Sequence, residues 1–299
     1  MHRLAGGTAG HRGDGPPPER SLLPRCANPR CATTWIRLWR NRRIPGFEGG
    51  WACSAECMES LVAGAVRREM EAGSGARRAP HRVPMGLLLV EEGRITPEQL
   101  RVALDAQQRA AERTGETMRL GEWLLQSGVL TEAALTRARS AQWNCPVFRL
   151  DSYHPEEVAA AIPGFLVEAL GALPVGVAGG ELLYVAFSER IDRCLCYALE
   201  RTLGVRVAAG IAADSEFAAA QARFLAASAP RTRCLEAASP RVLVDVIAKL
   251  IESKKPVEAR LARVHEYYWL RMWRGAPAPG LARAEALEDL LCIVGNEGG

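Results

Sequence analysis

A stretch of the chain repeats itself, and that repeat limits the folds open to it. Displaced by 35 residues, Gly86-Leu-Leu-Leu89-Val90-Glu-Glu-Gly93-Arg-Ile95 falls on Gly121-Glu-Trp-Leu124-Leu125-Gln-Ser-Gly128-Val-Leu130, while Leu100 and Gln107 fall on Leu135 and Gln142. Each copy reads as a short helix stopped by glycine, followed by a threonine that caps a longer helix. Thr96-Pro97-Glu98-Gln99 adds proline at the first helical position and a capping-box glutamine. The segment is therefore expected to be two αα-hairpins in tandem. In such a hairpin the start of the first helix returns beside the end of the second, which predicts Arg119 next to Gln142 and Pro84 next to Gln107.

A second pattern precedes the repeat. Cys26-Ala-Asn-Pro-Arg-Cys31 and Cys53-Ser-Ala-Glu-Cys57 are two close cysteine pairs around a Trp- and Arg-rich spacer, the arrangement a tetrahedral four-thiolate zinc site requires. Asn28-Pro29 makes a turn, Trp35 to Trp39 alternates like a strand, and Gly46 with Gly49-Gly50 reverses the chain before Trp51. Ser54 then caps a helix carrying Met58, Leu61, Val62, Ala65 and Val66 on one face, with Cys57 in its first turn. Knuckle, hairpin and helix in this order resemble a treble-clef zinc finger, with zinc held by Cys26, Cys31, Cys53 and Cys57. The remaining cysteines lack partners at ligand spacing, and Cys194-Leu-Cys196 is expected to pack in a core.

The second copy, Arg119-Leu120-Gly121-x-x-Leu124-Leu125-x-x-Gly128, then Leu135 and Gln142, resembles the tandem motif of the MshEN domain. That domain is the N-terminal domain of type II secretion (GspE-type) and type IV pilus assembly ATPases. The resemblance covers about residues 84–222. It implies tandem helical hairpins followed by a small α/β unit: a strand at 146–150, a helix opening at Pro155, a hairpin of 172–177 with 182–187 about Gly179-Gly180, a helix near 191–202, a strand at 205–209 and a helix from Asp214. It also implies cyclic di-GMP as ligand. The leading Arg119 and closing Gln142 and Gln107 would meet the nucleotide, with Leu120, Gly121, Leu124, Leu125, Gly128 and Leu135 packed beneath it. The guanidinium chemistry suits that ligand, since an arginine fork serves guanine O6 and N7 bidentately. Four features depart from the pattern: Pro84-Met85-Gly86 replaces the opening Arg-Leu-Gly in the first copy, Arg94 stands at an apolar position there, the spacer from Gln108 to Met118 is longer than the usual one, and Arg139 stands at an apolar position in the second copy.

No GxxxxGK[ST] occurs, and none of the three lysines, Lys249, Lys254 and Lys255, follows a glycine, so a phosphate-binding loop is excluded. No nucleophile elbow, catalytic His pair or glycine-rich dinucleotide loop is present either, and the chain is read as non-enzymatic. No apolar run approaches the ~20 residues of a bilayer span and no secretory signal opens the chain, which points to the cytoplasm. Net charge is +4, with the excess of arginine over acid confined to residues 1–80. Arg37, Arg40, Arg42 and Arg43 on an aromatic hairpin therefore open an alternative, a nucleic-acid-binding regulator.

The resulting organisation is mixed α/β: a disordered leader (1–20), the four-cysteine module (21–72), a linker (73–82), the MshEN-like domain (83–228) and a C-terminal extension (240–299). In the extension, Val242 to Ile251 reads as a helix, 281–292 as a short helix, and Trp269-Leu-Arg-Met-Trp273 as a strand pairing with Trp35-Ile-Arg-Leu-Trp39. The function expected is a regulatory or adaptor protein that binds cyclic di-GMP or docks on secretion or pilus assembly proteins.

Overall fold

The computed structural model describes residues 26–31, 44–74, 82–115, 118–227, 230–275, 281 and 283–295. The expected strand at Trp35–Trp39, the leader, and the basic run Arg37, Arg40, Arg42 and Arg43 lie outside the described residues. A two-residue hairpin, β1 (Gly46–Phe47) and β2 (Gly50–Trp51), leads into α1 (Ala55–Ser74). Four helices follow: α2 (Met85–Glu91), α3 (Pro97–Thr114), α4 (Leu120–Gln126) and α5 (Glu132–Trp143). The local signals act as read. Thr96 and Gln99 form a reciprocal capping box, Thr131 accepts from Ala134 N–H, and Gly93 and Gly128 take left-handed φ of 65° and 70°.

Next comes α6 (Gly164–Leu170), β3 (Ala172–Ala178), β4 (Leu182–Phe187), α7 (Arg193–Leu203), β5 (Arg206–Ile211) and α8 (Asp214–Ala226). The three strands form one sheet, β3 antiparallel and β5 parallel to β4. The expected strand at 146–150 reduces to a single bridge, Val147 to Ile211, and the helix at Pro155 to one 3-10 turn.

The C-terminal part is a four-stranded sheet rather than an extension. It comprises β6 (Arg231–Ala237), α9 (Pro240–Lys254), β7 (Glu258–Val264), β8 (Tyr267–Trp273) and β9 (Leu287–Val294), in the order β6-β9-β8-β7. Two expectations are corrected here. Residues 287–294 are a strand, not a helix: β9 lies between β6 and β8, and Leu287 through Cys292 are buried without interruption. The buried run includes two carboxylates, Glu288 paired with Lys254 and Asp289 with Arg271, so a strand covered on both faces here carries no simple alternation of apolar and polar residues to tell it from a helix. The Trp269–Trp273 strand pairs with β7 on one edge and β9 on the other, so it has no edge left for Trp35–Trp39.

One face of this sheet buries Tyr268, Leu270, Met272, Leu290 and Cys292 against α9 and, from the far end of the chain, Met58, Val62, Ala65 and Val66 of α1. The cysteine module and the C-terminal sheet thus share one core. The module also runs along β7: Gly46 N–H donates to Pro256 O at 3.1 Å and Glu48 N–H to Ala259 O at 2.8 Å, which covers that sheet edge. On the opposite face Trp269 and Leu291 join the core of the β3–β5 unit. Arg271 and Asp289 lie there with no exposed surface, paired at 2.7 Å, and Arg271 also donates to Ala160 O and Ala161 O. Among the described residues no helix is long and apolar enough to cross a membrane.

Candidate functional site

The four predicted thiols converge. The Sγ atoms of Cys26, Cys31, Cys53 and Cys57 all lie within 4.8 Å of one another, with Cys31 to Cys53 at 3.4 Å and Cys53 to Cys57 at 3.7 Å. A tetrahedral ion with metal–sulfur bonds of about 2.3 Å holds its ligands about 3.8 Å apart, so the cluster fits such an ion with little adjustment. Local sequence builds it. Asn28 O accepts from Cys31 N–H at 2.9 Å to close the first knuckle, and Ala27 N–H donates to Trp51 O at 2.8 Å to fasten it to the hairpin. Ser54 Oγ accepts from Cys57 N–H, placing Cys57 in the first turn of α1. Asn28 Nδ2 donates to Cys57 Sγ at 3.4 Å, an outer contact that orients a ligand and that cysteine spacing alone does not reveal. Burial pushes the Cys26 thiol above its ordinary range. Elsewhere Cys196 is pushed up to about 12, chiefly by burial, whereas Cys194 is exposed rather than in a core.

The repeats assemble differently from the simple hairpin expectation. Gln142 Nε2 donates to Val83 O at 2.8 Å and Gln107 Nε2 to Met118 O at 2.7 Å. Each closing glutamine therefore meets the opening of the other copy: Gln142 lies beside Pro84 and Gln107 beside Arg119. Helix length is the reason. The seven residues of α2 span about 10 Å and return only as far as Leu100, on which Gly86 is packed, whereas Gln107 lies about 10 Å farther along α3. The second copy repeats this, with Gly121 packed on Leu135 and Gln142 seven residues beyond. The two hairpins consequently pack α2 on α5 and α3 on α4, and the two openings belong to one joint surface.

Leu124 and Leu135 are buried in the core between these helices, while Leu120 and Leu125 are partly buried at its margin. Gly128 forms the turn after α4. Arg119 is 63% exposed on its side chain and paired with Glu189, a partner the motif does not indicate. Its backbone N–H donates to Glu122 Oε2 at 3.2 Å. Arg139, the departure at an apolar position, is 8% exposed and donates to Ser188 O at 2.9 Å and Asp214 Oδ1 at 2.7 Å. With Glu132, which accepts from Ser215 N–H and Oγ–H, it fastens α5 to the start of α8. The substitution is thus explained by a buried charge that joins the repeats to the three-stranded sheet.

Tandem hairpins with glutamine-linked openings, followed by this small α/β unit, make an α+β fold like that of the MshEN domain. No family model and no curated protein sequence matches the chain. Among solved structures, MshE with cdg (cyclic di-GMP) is 30% identical, and the match covers 48% of this chain and 99% of that one at a TM-score of 0.37. The matching half of this chain is thus similar to the N-terminal domains of secretion and pilus ATPases. Two structures of the XpsE N-terminal domain match at 17% and 19% identity, covering 47% and 49% of this chain and 92% and 99% of theirs, at TM-scores of 0.35 and 0.29.

Proposed function

We propose that this is a non-catalytic regulatory or adaptor protein whose repeats bind cyclic di-GMP and whose four-thiol module holds a structural zinc. The observation that carries the nucleotide reading is the exchanged linkage of Gln107 to Met118 and Gln142 to Val83. It makes one composite surface with two related ends, suited to a ligand that is itself two related halves. The solved MshE structure contains cyclic di-GMP, which supports that choice of ligand. Four thiols at tetrahedral spacing suit zinc, whose role here is to fix the knuckle to α1. The absence of a phosphate-binding loop from the sequence supports an accessory role beside a secretion or pilus assembly ATPase in the cytoplasm, without turnover of its own.

Calorimetric titration of the full chain with cyclic di-GMP tests the reading. Saturable binding of about one nucleotide or nucleotide dimer per chain is expected in the micromolar range, roughly −8 kcal/mol. Absence of heat up to submillimolar nucleotide sinks it and leaves the repeats as an interaction scaffold.

A further inference from the structure

The first copy carries Pro84 where the second carries Arg119, so by position its end of the joint surface lacks a guanidinium. The fold supplies one from two residues upstream. The guanidinium carbon of Arg82 lies 3.2 Å from the centroid of the Trp143 ring. Between them in the chain path, Val83 O accepts from Gln142 Nε2 at 2.8 Å. Arg82, Gln142 and Trp143 therefore form one cluster, brought together by the same packing of α2 on α5 that separates Gln142 from Arg119.

Its electrostatics differ from those of the other end. Arg119 is already neutralised by Glu189, which a ligand anion must displace. Arg82 has no carboxylate partner among the described residues, and burial together with the nearby charge of Arg193 holds its pKa below the ordinary arginine range. Arg82 and Arg193, two neighbouring guanidinium groups with no ion pair among the described residues, favour an anion there.

We propose that Arg82, stacked on Trp143 beside Gln142, is the guanine- and phosphate-binding arginine of the first half-site, and that it contributes more to cyclic di-GMP affinity than Arg119 does. This rests on the nucleotide reading above and assigns it to particular groups. The Arg82 fork suits guanine O6 and N7. Gln142 spends an Nε2 hydrogen on Val83 O, which leaves its Oε1 to accept from a guanine N–H. The indole beneath the guanidinium offers a flat support to a purine bonded in the guanidinium plane, and the second cation, Arg193, serves the phosphodiester.

Calorimetry with cyclic di-GMP on the full chain, combined with the indole N–H resonance of Trp143 during titration with 5′-GMP, tests it. Arg82→Ala and Arg82→Lys are expected to weaken cyclic di-GMP binding by about tenfold or more, as for loss of a bidentate guanine contact. Arg119→Ala is expected to change it by less than about threefold, and 5′-GMP at millimolar concentration is expected to shift the Trp143 signal in the wild type but not in Arg82→Lys. If the wild type binds cyclic di-GMP and Arg82→Lys binds it equally well, the assignment is overturned while the nucleotide reading stands. If cyclic di-GMP does not bind but 5′-GMP moves the Trp143 signal through Arg82, the site stands and the dinucleotide reading falls. Silence in both measurements overturns both.

Discussion

If Cys26, Cys31, Cys53 and Cys57 hold zinc as proposed, removing it is expected to loosen far more than the knuckle around it. In small zinc modules the binding free energy, about 10–16 kcal/mol in isolated peptides, is largely folding free energy. Here the module does not end at its own boundary. Met58, Val62, Ala65 and Val66 of α1 lie in the same core as Leu243, Ile247 and Ile251 of α9 and Leu270 of β8. Gly49 N–H donates to Glu258 Oε1 at 2.8 Å, and Glu69 accepts from Arg263 N–H. Chelation, or Cys57→Ser, should therefore speed amide exchange in α1, α9 and β7 together, while α2 to α5 and the β3–β5 sheet keep their protection. Purified protein without zinc, or unchanged exchange in α9 after chelation, overturns this.

Asp289→Ala is expected to destabilise the protein by about 3–5 kcal/mol, the usual result of leaving a buried charge without its partner. Asp289 accepts from Arg271 Nε at 2.8 Å and Nη2 at 2.7 Å and from Trp269 Nε1 at 2.9 Å, and neither member of the ion pair has exposed surface. The truncation strands a guanidinium between two sheets with only the carbonyls of Ala160 and Ala161 to serve it. Replacing both residues, Arg271→Met with Asp289→Leu, should cost much less, because it removes the desolvation penalty along with the attraction. Chemical denaturation of the two variants checks the difference; equal losses would mean that packing, not the charge, sets the effect.

What could be read in the sequence was local. The threonine caps, the glycine stops and the turn at Gly179-Gly180 each depend on residues within one turn of each other, and all take the expected geometry. The four thiols were equally legible, since each pair of ligands lies on a short segment. Partnerships set by helix length were not. Residue order places Gln142 in the same hairpin as Arg119, but only the mismatch between a seven-residue helix and its longer neighbour carries it across to Val83. Arg139 looked like a flaw in a motif because its acceptors, Ser188 and Asp214, lie 49 and 75 residues away. A signal for Arg82 did exist: an arginine two residues before Pro84 and a tryptophan directly after Gln142.

The shared core of α1 and α9 has a consequence for biosynthesis. Helix α1 leaves the ribosome about 165 residues before its partner α9 begins, with the tandem hairpins and the three-stranded sheet translated in between. At about 5–20 residues per second that interval is roughly ten to thirty seconds. Throughout it the apolar stripe of α1 has nothing of its own chain to cover it, while the intervening domain can already fold on its local hairpins. A nascent chain arrested before Pro240 should therefore present a folded middle flanked by a sticky beginning, a form that chaperones hold until the last strand emerges.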